Sequence, residues 1–279
     1  MSELYKVEND IRLYHPDVID THQDYNANGL TNLYKAEESH FWFLSRKEFI
    51  YQQLKSFTLE RSKFIEIGAG TGNVTRYLMQ KGYQNVAVGE MHLSGLEYAK
   101  TYGVNNCYQF DLLRSPFQNE FETVCMFDVL EHIEDTELAL DKVHQMLSEG
   151  GYAVFTVPAH SWLWNRDDKI AGHKKRYTKK EIISELENAG FKIEVAKYFF
   201  ISIVPLLFLR TILNRDSDEP VREEEYSKEI IINKVFNSIL LKIMRLENKI
   251  HKYIPNLFGG SLFIIGKKND SFFKTHYYR

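Results

Sequence analysis

Only two of the 279 residues are cysteine, Cys107 and Cys125. Two are too few for a disulfide framework. Both sit in apolar segments that read as strands, so buried reduced thiols and a cytoplasmic protein are expected. A basic excess is also missing. The net charge is −3, with 35 Lys and Arg against 38 Asp and Glu. No nucleic-acid partner is expected, because phosphate neutralisation needs a clear positive surplus. No apolar run reaches the roughly 20 residues that span a bilayer. The longest, Tyr198–Leu209, contains Pro205 and reads as a buried or interfacial segment. Met1–Asp10 is charged and lacks an apolar stretch, so no signal peptide is expected. There is no internal repeat.

What is present is an alternation of strands and helices. Lys63–Ile67, Asn85–Gly89, Asn106–Phe110 and Phe121–Phe127 read as strands, and Tyr152–Val157 as a fifth after the turn Gly150-Gly151. Between them, helical patterns cover Arg46–Phe57, Thr71–Lys81, Leu93–Thr101 and Asp135–Leu147. This alternation predicts right-handed crossovers and a doubly wound, mostly parallel α/β sheet, with ligands at the carboxyl ends of its strands. Thr178 and Glu181 have capping-box spacing and open a helix that ends at Gly190. Phe191–Phe199 is expected to be a sixth strand and Ser261–Lys267 the last.

The organisation expected is an N-terminal cap over residues 1–57, a cofactor-binding core over 58–200, a helical insertion over 201–260, and the last strand and tail over 261–279. Within the insertion, Asn214–Glu225 is charged and reads as a solvated loop. Glu229–His251 carries Ile231, Val235, Ile239, Ile243, Leu246 and Ile250 at helical spacing, the pattern of an ordinary packing face. Covering the substrate is the expected role of this insertion, in preference to contact with a membrane.

The central motif is Phe64-Ile-Glu-Ile-Gly-Ala-Gly-Thr-Gly-Asn73, a strand running through a glycine loop into a helix. Glycine allows a sharp turn and a close approach to a ligand, and the helix beyond offers free N–H groups. Such a loop alone fits either a structural turn or a nucleotide site. The dinucleotide fingerprint needs glycines at relative positions 1, 3 and 6, but counting from Gly68 the sixth position is Asn73. No Lys-Ser/Thr pair follows, so this is not a P-loop.

With its acid Glu66 and its G-x-G-x-G spacing, the segment resembles the class I S-adenosylmethionine-dependent methyltransferases. The resemblance implies a seven-stranded sheet, S-adenosylmethionine as cofactor, and a set of contacts. Glu66 would hold the methionine end, with Gly68, Ala69, Gly70, Gly72 and Asn73 passing beneath it. Glu90 ends the second strand about 20 residues beyond the glycines, where an acid accepts from both ribose hydroxyls; Met91 adjoins it. Asp111 would accept from the adenine amino group, with Leu112 beside the ring. The segment Phe127-Asp-Val-Leu-Glu-His-Ile-Glu-Asp135 resembles the family's motif after the fourth strand. It would bring Asp128 and Val129 to the cofactor's edge.

His132 in that segment is a candidate general base, since imidazole titrates near neutrality; alternatively Glu131 and His132 only shape the loop. No metal is expected there, because the sequence offers no convincing further ligands. Glu37-Glu-Ser-His-Phe-Trp-Phe-Leu-Ser-Arg46 is similar to a stretch in bacterial relatives. It reads as a pocket cap with Trp42 and Arg46 at the substrate, or as a hydrophobic anchor. Asp168–Thr178 is similar to the Gly-His-x-x-Arg-Tyr element of the same relatives, and Lys169, His173, Lys174, Lys175 and Arg176 form a basic cluster in it. Either this is a solvated loop or it binds a phosphate- or carboxylate-bearing acceptor, which Arg suits by bidentate contact. His173, Arg176 and Tyr177 are the acceptor-binding candidates, and His160 and His173 further candidate bases.

The expected activity is methyl transfer to an oxygen or nitrogen of a small, anionic acceptor. Two rival readings are a cofactor-binding relative without turnover and an NAD-dependent oxidoreductase. The glycine spacing argues against the second.

Overall fold

The computed structural model describes residues 5–18, 33–57, 59–214 and 232–269. A single mixed sheet organises them. Its strands are β1 (Lys6–Glu8), β2 (Ile11–Leu13), β3 (Phe64–Ile67), β4 (Val86–Glu90), β5 (Asn106–Gln109), β6 (Phe121–Phe127), β7 (Leu147–Pro158), β8 (Phe191–Phe199) and β9 (Ser261–Lys268). They lie in the order β1-β2-β5-β4-β3-β6-β7-β9-β8. From β5 to β7 all neighbours are parallel, while β9 runs antiparallel between β7 and β8. The order turns outward in both directions from β3, so the switch point lies at the end of β3, where the glycine loop begins.

The helices are α1 (Phe41–Leu54), α2 (Asn73–Gln80), α3 (Leu93–Thr101), α4 (Thr136–Met146), α5 (Arg166–Ile170), α6 (Lys179–Asn188), α7 (Val204–Leu213) and α8 (Lys234–Ile250). They cover both faces of the sheet. Ala139, Leu140 and Val143 of α4 and Ile182 and Leu186 of α6 join one core with Ile65, Val124 and Phe155. Phe49 and Ile50 of α1, Val74 and Leu78 of α2 and Leu240 and Met244 of α8 join the other with Phe64, Cys125 and Phe263. Each such buried side chain contributes roughly 1.5–3 kcal/mol, which makes this two-sided burial the main stabilisation of the fold. Both cysteines are buried and unpaired.

Several features depart from the sequence expectation, the first being that α1 begins at Phe41 and not at Arg46. The sheet has nine strands, not seven. The extra two are the hairpin β1–β2, in which Ile11 and Leu13 are buried while Arg12 points out, and β2 pairs in parallel with β5. Two alternating apolar residues are too short a period to be read from sequence. Next, β7 begins at Leu147 and not at Tyr152. The expected turn survives as an irregularity: the register with β6 jumps between Phe121 and Thr123, with Gly150 at φ +67°. Finally, the apolar stripe of α8 is not a packing face. Val235 is 69%, Ile239 49% and Leu246 59% exposed, while Leu240, Met244, Glu247 and Asn248 take the buried side. Residues 215–225 of the expected charged loop, Ile231 and the tail past 269 lie outside the described residues.

Candidate active site

At the carboxyl ends of β3, β4 and β6 opens a cavity of about 1470 Å³. The loop after β3 sets its floor. Gly68, Gly70 and Gly72 have φ of +63°, +54° and +77°, a conformation that L side chains rarely adopt. A Cβ on Gly68 would also lie 2.6 Å from Val129. The loop therefore presents bare backbone to the cavity, and α2 begins directly behind it.

Acids ring this floor. Glu66 projects from β3 and is 3% exposed. Its Oε2 accepts from the Thr75 N–H at 2.9 Å and the Thr75 hydroxyl at 2.5 Å. Burial pushes its carboxyl up to about 7, against the hydrogen bonds from Thr75 and the charge of Arg46. Glu37, in the helical turn over residues 33–37, accepts from the Thr71 hydroxyl and is likewise raised to about 7 by burial. Glu90 at the end of β4 accepts from the Gly70 N–H at 2.9 Å and the Met91 N–H at 2.8 Å. Asp111 after β5 accepts from the Leu113 N–H at 2.9 Å.

Asp128 follows β6 with φ +56°. It is held by the Thr156 hydroxyl at 2.9 Å and by an ion pair with Arg46 from α1. A non-glycine residue in this region stores strain, a feature concentrated at functional sites. Around the glycine loop the lining thus offers the carboxylates of Glu37, Glu66, Glu90 and Asp111, and Arg46 beside them is already engaged with Asp128. Carboxylates gathered on a glycine floor suit a cofactor with amine, hydroxyl and sulfonium character. They do not suit a pyrophosphate, which calls for donors and positive charge. S-adenosylmethionine fits the residues present.

The opposite wall is built from the loop after β6 and the segment 160–177. Asp168 is 1% exposed. It accepts from the Asn165 N–H at 3.0 Å and the Arg176 Nε at 2.8 Å, and lies 2.7 Å from the His173 Nδ1. Burial raises its carboxyl, but His173 and Arg176 outweigh that and leave it below the ordinary range. The other imidazole nitrogen, Nε2, is 3.9 Å from the Glu131 carboxylate. Glu131 is fully buried and its carboxyl oxygens have no hydrogen-bond partner. Burial, reinforced by Asp128, raises it well above the usual carboxylate range. The rings of His132 and His173 meet edge to face at 4.8 Å.

Of the residues singled out from sequence, Trp42, Arg46, Glu66, Gly68, Ala69, Gly70, Asn73, Glu90, Met91, Asp111, Leu112, Asp128, Val129, His132, His173 and Arg176 all line this one cavity. Gly72, His160 and Tyr177 are not among its lining residues. Gly72 sits behind the loop, where a Cβ would meet Ala99 at 2.8 Å. His160 stacks on Tyr198 at 5.0 Å. Tyr177 is 1% exposed, packed in the core by its ring. The basic cluster is also split: Lys175 turns away to pair with Glu185 at 2.8 Å, and the Arg176 Nε is spent on Asp168. Asp168 and Glu37 were not singled out. The capping box of Asn165 and Asp168 on α5 was a legible local signal for the first; nothing local marks Glu37.

A methyltransferase-domain family model matches residues 43–195, more than half of the chain. No curated protein matches the sequence. Among solved structures, a chain from the Haloferax volcanii complex between the methyltransferase activator Trm112 and its methyltransferase superposes with a TM-score of 0.58 at 14% identity, covering 90% of this chain and 97% of that one. Phosphoethanolamine N-methyltransferase 2 of Haemonchus contortus, solved with S-adenosylmethionine, gives 0.57 at 16% identity, covering 91% of this chain and 60% of that one. An S-adenosylmethionine-dependent methyltransferase of Mesorhizobium loti gives 0.52 at 17%, covering 79% and 98%. At these identities the likeness is one of fold. The family match, the sheet order with its antiparallel penultimate strand, and the acid-ringed glycine floor agree: this chain belongs to the class I S-adenosylmethionine-dependent methyltransferases.

Proposed function

We propose that the enzyme transfers a methyl group to a hydroxyl or amine of a small acceptor, with His173 as general base and Asp168 as its positioning residue. The observation that carries this reading is the contact of the buried Asp168 carboxylate with His173, 2.7 Å apart in the cavity lining. Bound S-adenosylmethionine supplies an electrophilic methyl on a cationic sulfur, so the chain's task is mainly to hold and orient. Glu66 and Glu90 are the residues proposed to hold its amine and ribose, and Asp111 its adenine.

Asp168 fixes the Nδ1 side of His173, leaving Nε2 as the nitrogen that takes a proton. A hydroxyl acceptor needs that base, because it is a poor nucleophile while protonated; a neutral amine does not. Lys174 and Arg176 line the same wall and are where an acidic group on the acceptor would be held.

The test is calorimetric titration with S-adenosylhomocysteine and with NAD, on the wild type and Glu90→Ala. Micromolar binding of the homocysteine compound, lost in the variant and absent for NAD, is expected. Binding of NAD instead would refute the reading. A screen of hydroxyl and amine acceptors, with and without acidic groups, then assigns the acceptor. Turnover of no acceptor by protein that binds the cofactor would favour the non-catalytic rival.

A further inference from the structure

We propose that the outer face of α7 and α8 docks onto an anionic lipid bilayer. The face is apolar across two elements. On α8, Val235, Phe236, Ile239, Ile243, Leu246 and Ile250 are all exposed and recur at helical spacing along one stripe. On α7, Phe208, Leu209, Ile212 and Leu213 are exposed, with Leu213 at 76%, and the exposed ring of Trp162 lies 5.9 Å from Phe208. Scattered exposed apolar residues are ordinary, but a stripe of six along one helix is the mark of an interaction surface.

The stripe is not a core face turned the wrong way. The opposite side of α8 is anchored by specific bonds. Glu247 accepts from the Ile201 N–H at 2.8 Å and the Ser202 N–H at 2.7 Å, which fixes the start of α7. Asn248 donates to the Ser45 carbonyl at 3.0 Å, and Asn237 accepts from the Phe41 N–H at 2.8 Å. Arg245 grips both oxygens of Glu48 at 3.0 Å. Rolling the helix to bury the stripe would break all of these.

Charge selects lipid over other occupants. Lys242 and Lys249 are exposed, seven positions apart, and border the stripe; Lys234 and Lys252 are exposed at its two ends. The one acid within Lys234–Ile250 is Glu247, which is buried. An apolar stripe edged by lysines and free of exposed acid is the pattern of an interfacial helix. Its aliphatic face enters the headgroup boundary while lysines reach anionic phosphates. No described helix is long and apolar enough to cross a membrane, so the contact is peripheral. Position agrees: Leu209, Leu213 and Phe236 belong both to this face and to the cavity lining. The cavity therefore opens through the apolar face, and docking turns its mouth toward lipid.

The experiment is co-sedimentation of the full chain with vesicles of phosphatidylcholine alone and of phosphatidylcholine with phosphatidylglycerol. Wild type is compared with Ile239→Glu/Leu246→Glu and Lys242→Glu/Lys249→Glu. Binding to the anionic vesicles is expected, reduced at least about tenfold in either double variant, with S-adenosylhomocysteine affinity unchanged as the control for folding. Absence of binding to anionic vesicles, or equal binding to phosphatidylcholine alone, overturns the proposal. So does a lipid-free dimer, seen by light scattering, that Ile239→Glu/Leu246→Glu splits, since a second copy would then cover the face. Failure of the cofactor titration alone would strike the active-site reading and leave this result standing.

Discussion

Glu66→Gln should make the protein more stable at alkaline pH and leave it unchanged at acid pH. Glu66 is desolvated between β3 and α2, and the N–H and hydroxyl of Thr75 are its hydrogen-bond donors. Its folded-state value of about 7 lies above the ordinary 4.5. An acid raised in this way binds its proton more tightly in the native than in the unfolded state. Native stability from this group is therefore intact below pH 4.5 and is lost as pH rises toward 7. The gap corresponds to about 3 kcal/mol once both states are ionised, an upper figure because Arg46 and Glu37 share the local field. Glutamine keeps an acceptor for Thr75 and removes the ionisation. Denaturant unfolding of wild type and Glu66→Gln from pH 4.5 to 8.5 should give curves that coincide at the acid end and separate through neutrality by about 2–3 kcal/mol in favour of the variant. The difference is the correct observable, because His40, lowered by burial to about 4, tilts the wild-type curve the other way in acid. Parallel curves, or a wild type more stable than the variant at pH 8, would refute the assignment of a strained, buried carboxyl. On the proposed reading, a cofactor amine would draw Glu66 into its ionised form. Binding near pH 7 should then release a proton, measurable as a dependence of the calorimetric heat on the buffer's ionisation enthalpy.

Three further outcomes follow from named contacts. Gly68→Ala should cost roughly 2–4 kcal/mol, since it adds a left-handed penalty to a clash with Val129; an unchanged melting temperature would show that the loop has slack. Asp168→Asn should lower kcat about 100-fold or more on a hydroxyl acceptor, with cofactor affinity retained, because His173 would lose its orienting charge. A loss confined to KM would make the pair a binding device. Arg46→Met should leave Asp128 strained and unpaired. Destabilisation of about 3 kcal/mol is expected, and an Arg46→Met/Asp128→Asn double variant should recover part of it.

The class of fold was legible because parallel α/β sheets write strong local signals. Leu93–Thr101, Phe121–Phe127 and Phe191–Phe199 have the bounds that the sequence pattern assigns. Buried parallel strands are continuous apolar runs, and the stops of α2, α3 and α6 are followed by Gly82, Gly103 and Gly190 at positive φ. The capping box of Thr178 and Glu181 is present in both directions. The acids of the candidate site were legible for a related reason: Glu66, Glu90, Asp111 and Asp128 lie at or just past the ends of β3 to β6, so position along the chain fixes position at the sheet's edge, whereas Glu37 has no such mark.

Other features depend on contacts that no local pattern encodes. The β1–β2 hairpin exists because β2 finds β5, nearly a hundred residues away, and His15 beyond it bonds Asp111. The pairing of Arg46 with Asp128 required α1 to reach the loop after β6, whereas His173 and Asp168, five positions apart, meet within one segment. Periodicity identified α8 as amphipathic but could not say which of its faces meets protein. Glu247 and Asn248 are polar, yet they are the ones buried, because the Ile201 and Ser202 N–H groups just before α7 and the Ser45 carbonyl of α1 bond to them. Sequence alone thus determined the sheet, its cofactor edge and the helical character of the insertion, since these follow from local periodicity and capping. Tertiary structure alone decided that Arg46 pairs with Asp128 and which face of α8 is left to solvent, since both depend on partners distant in the chain.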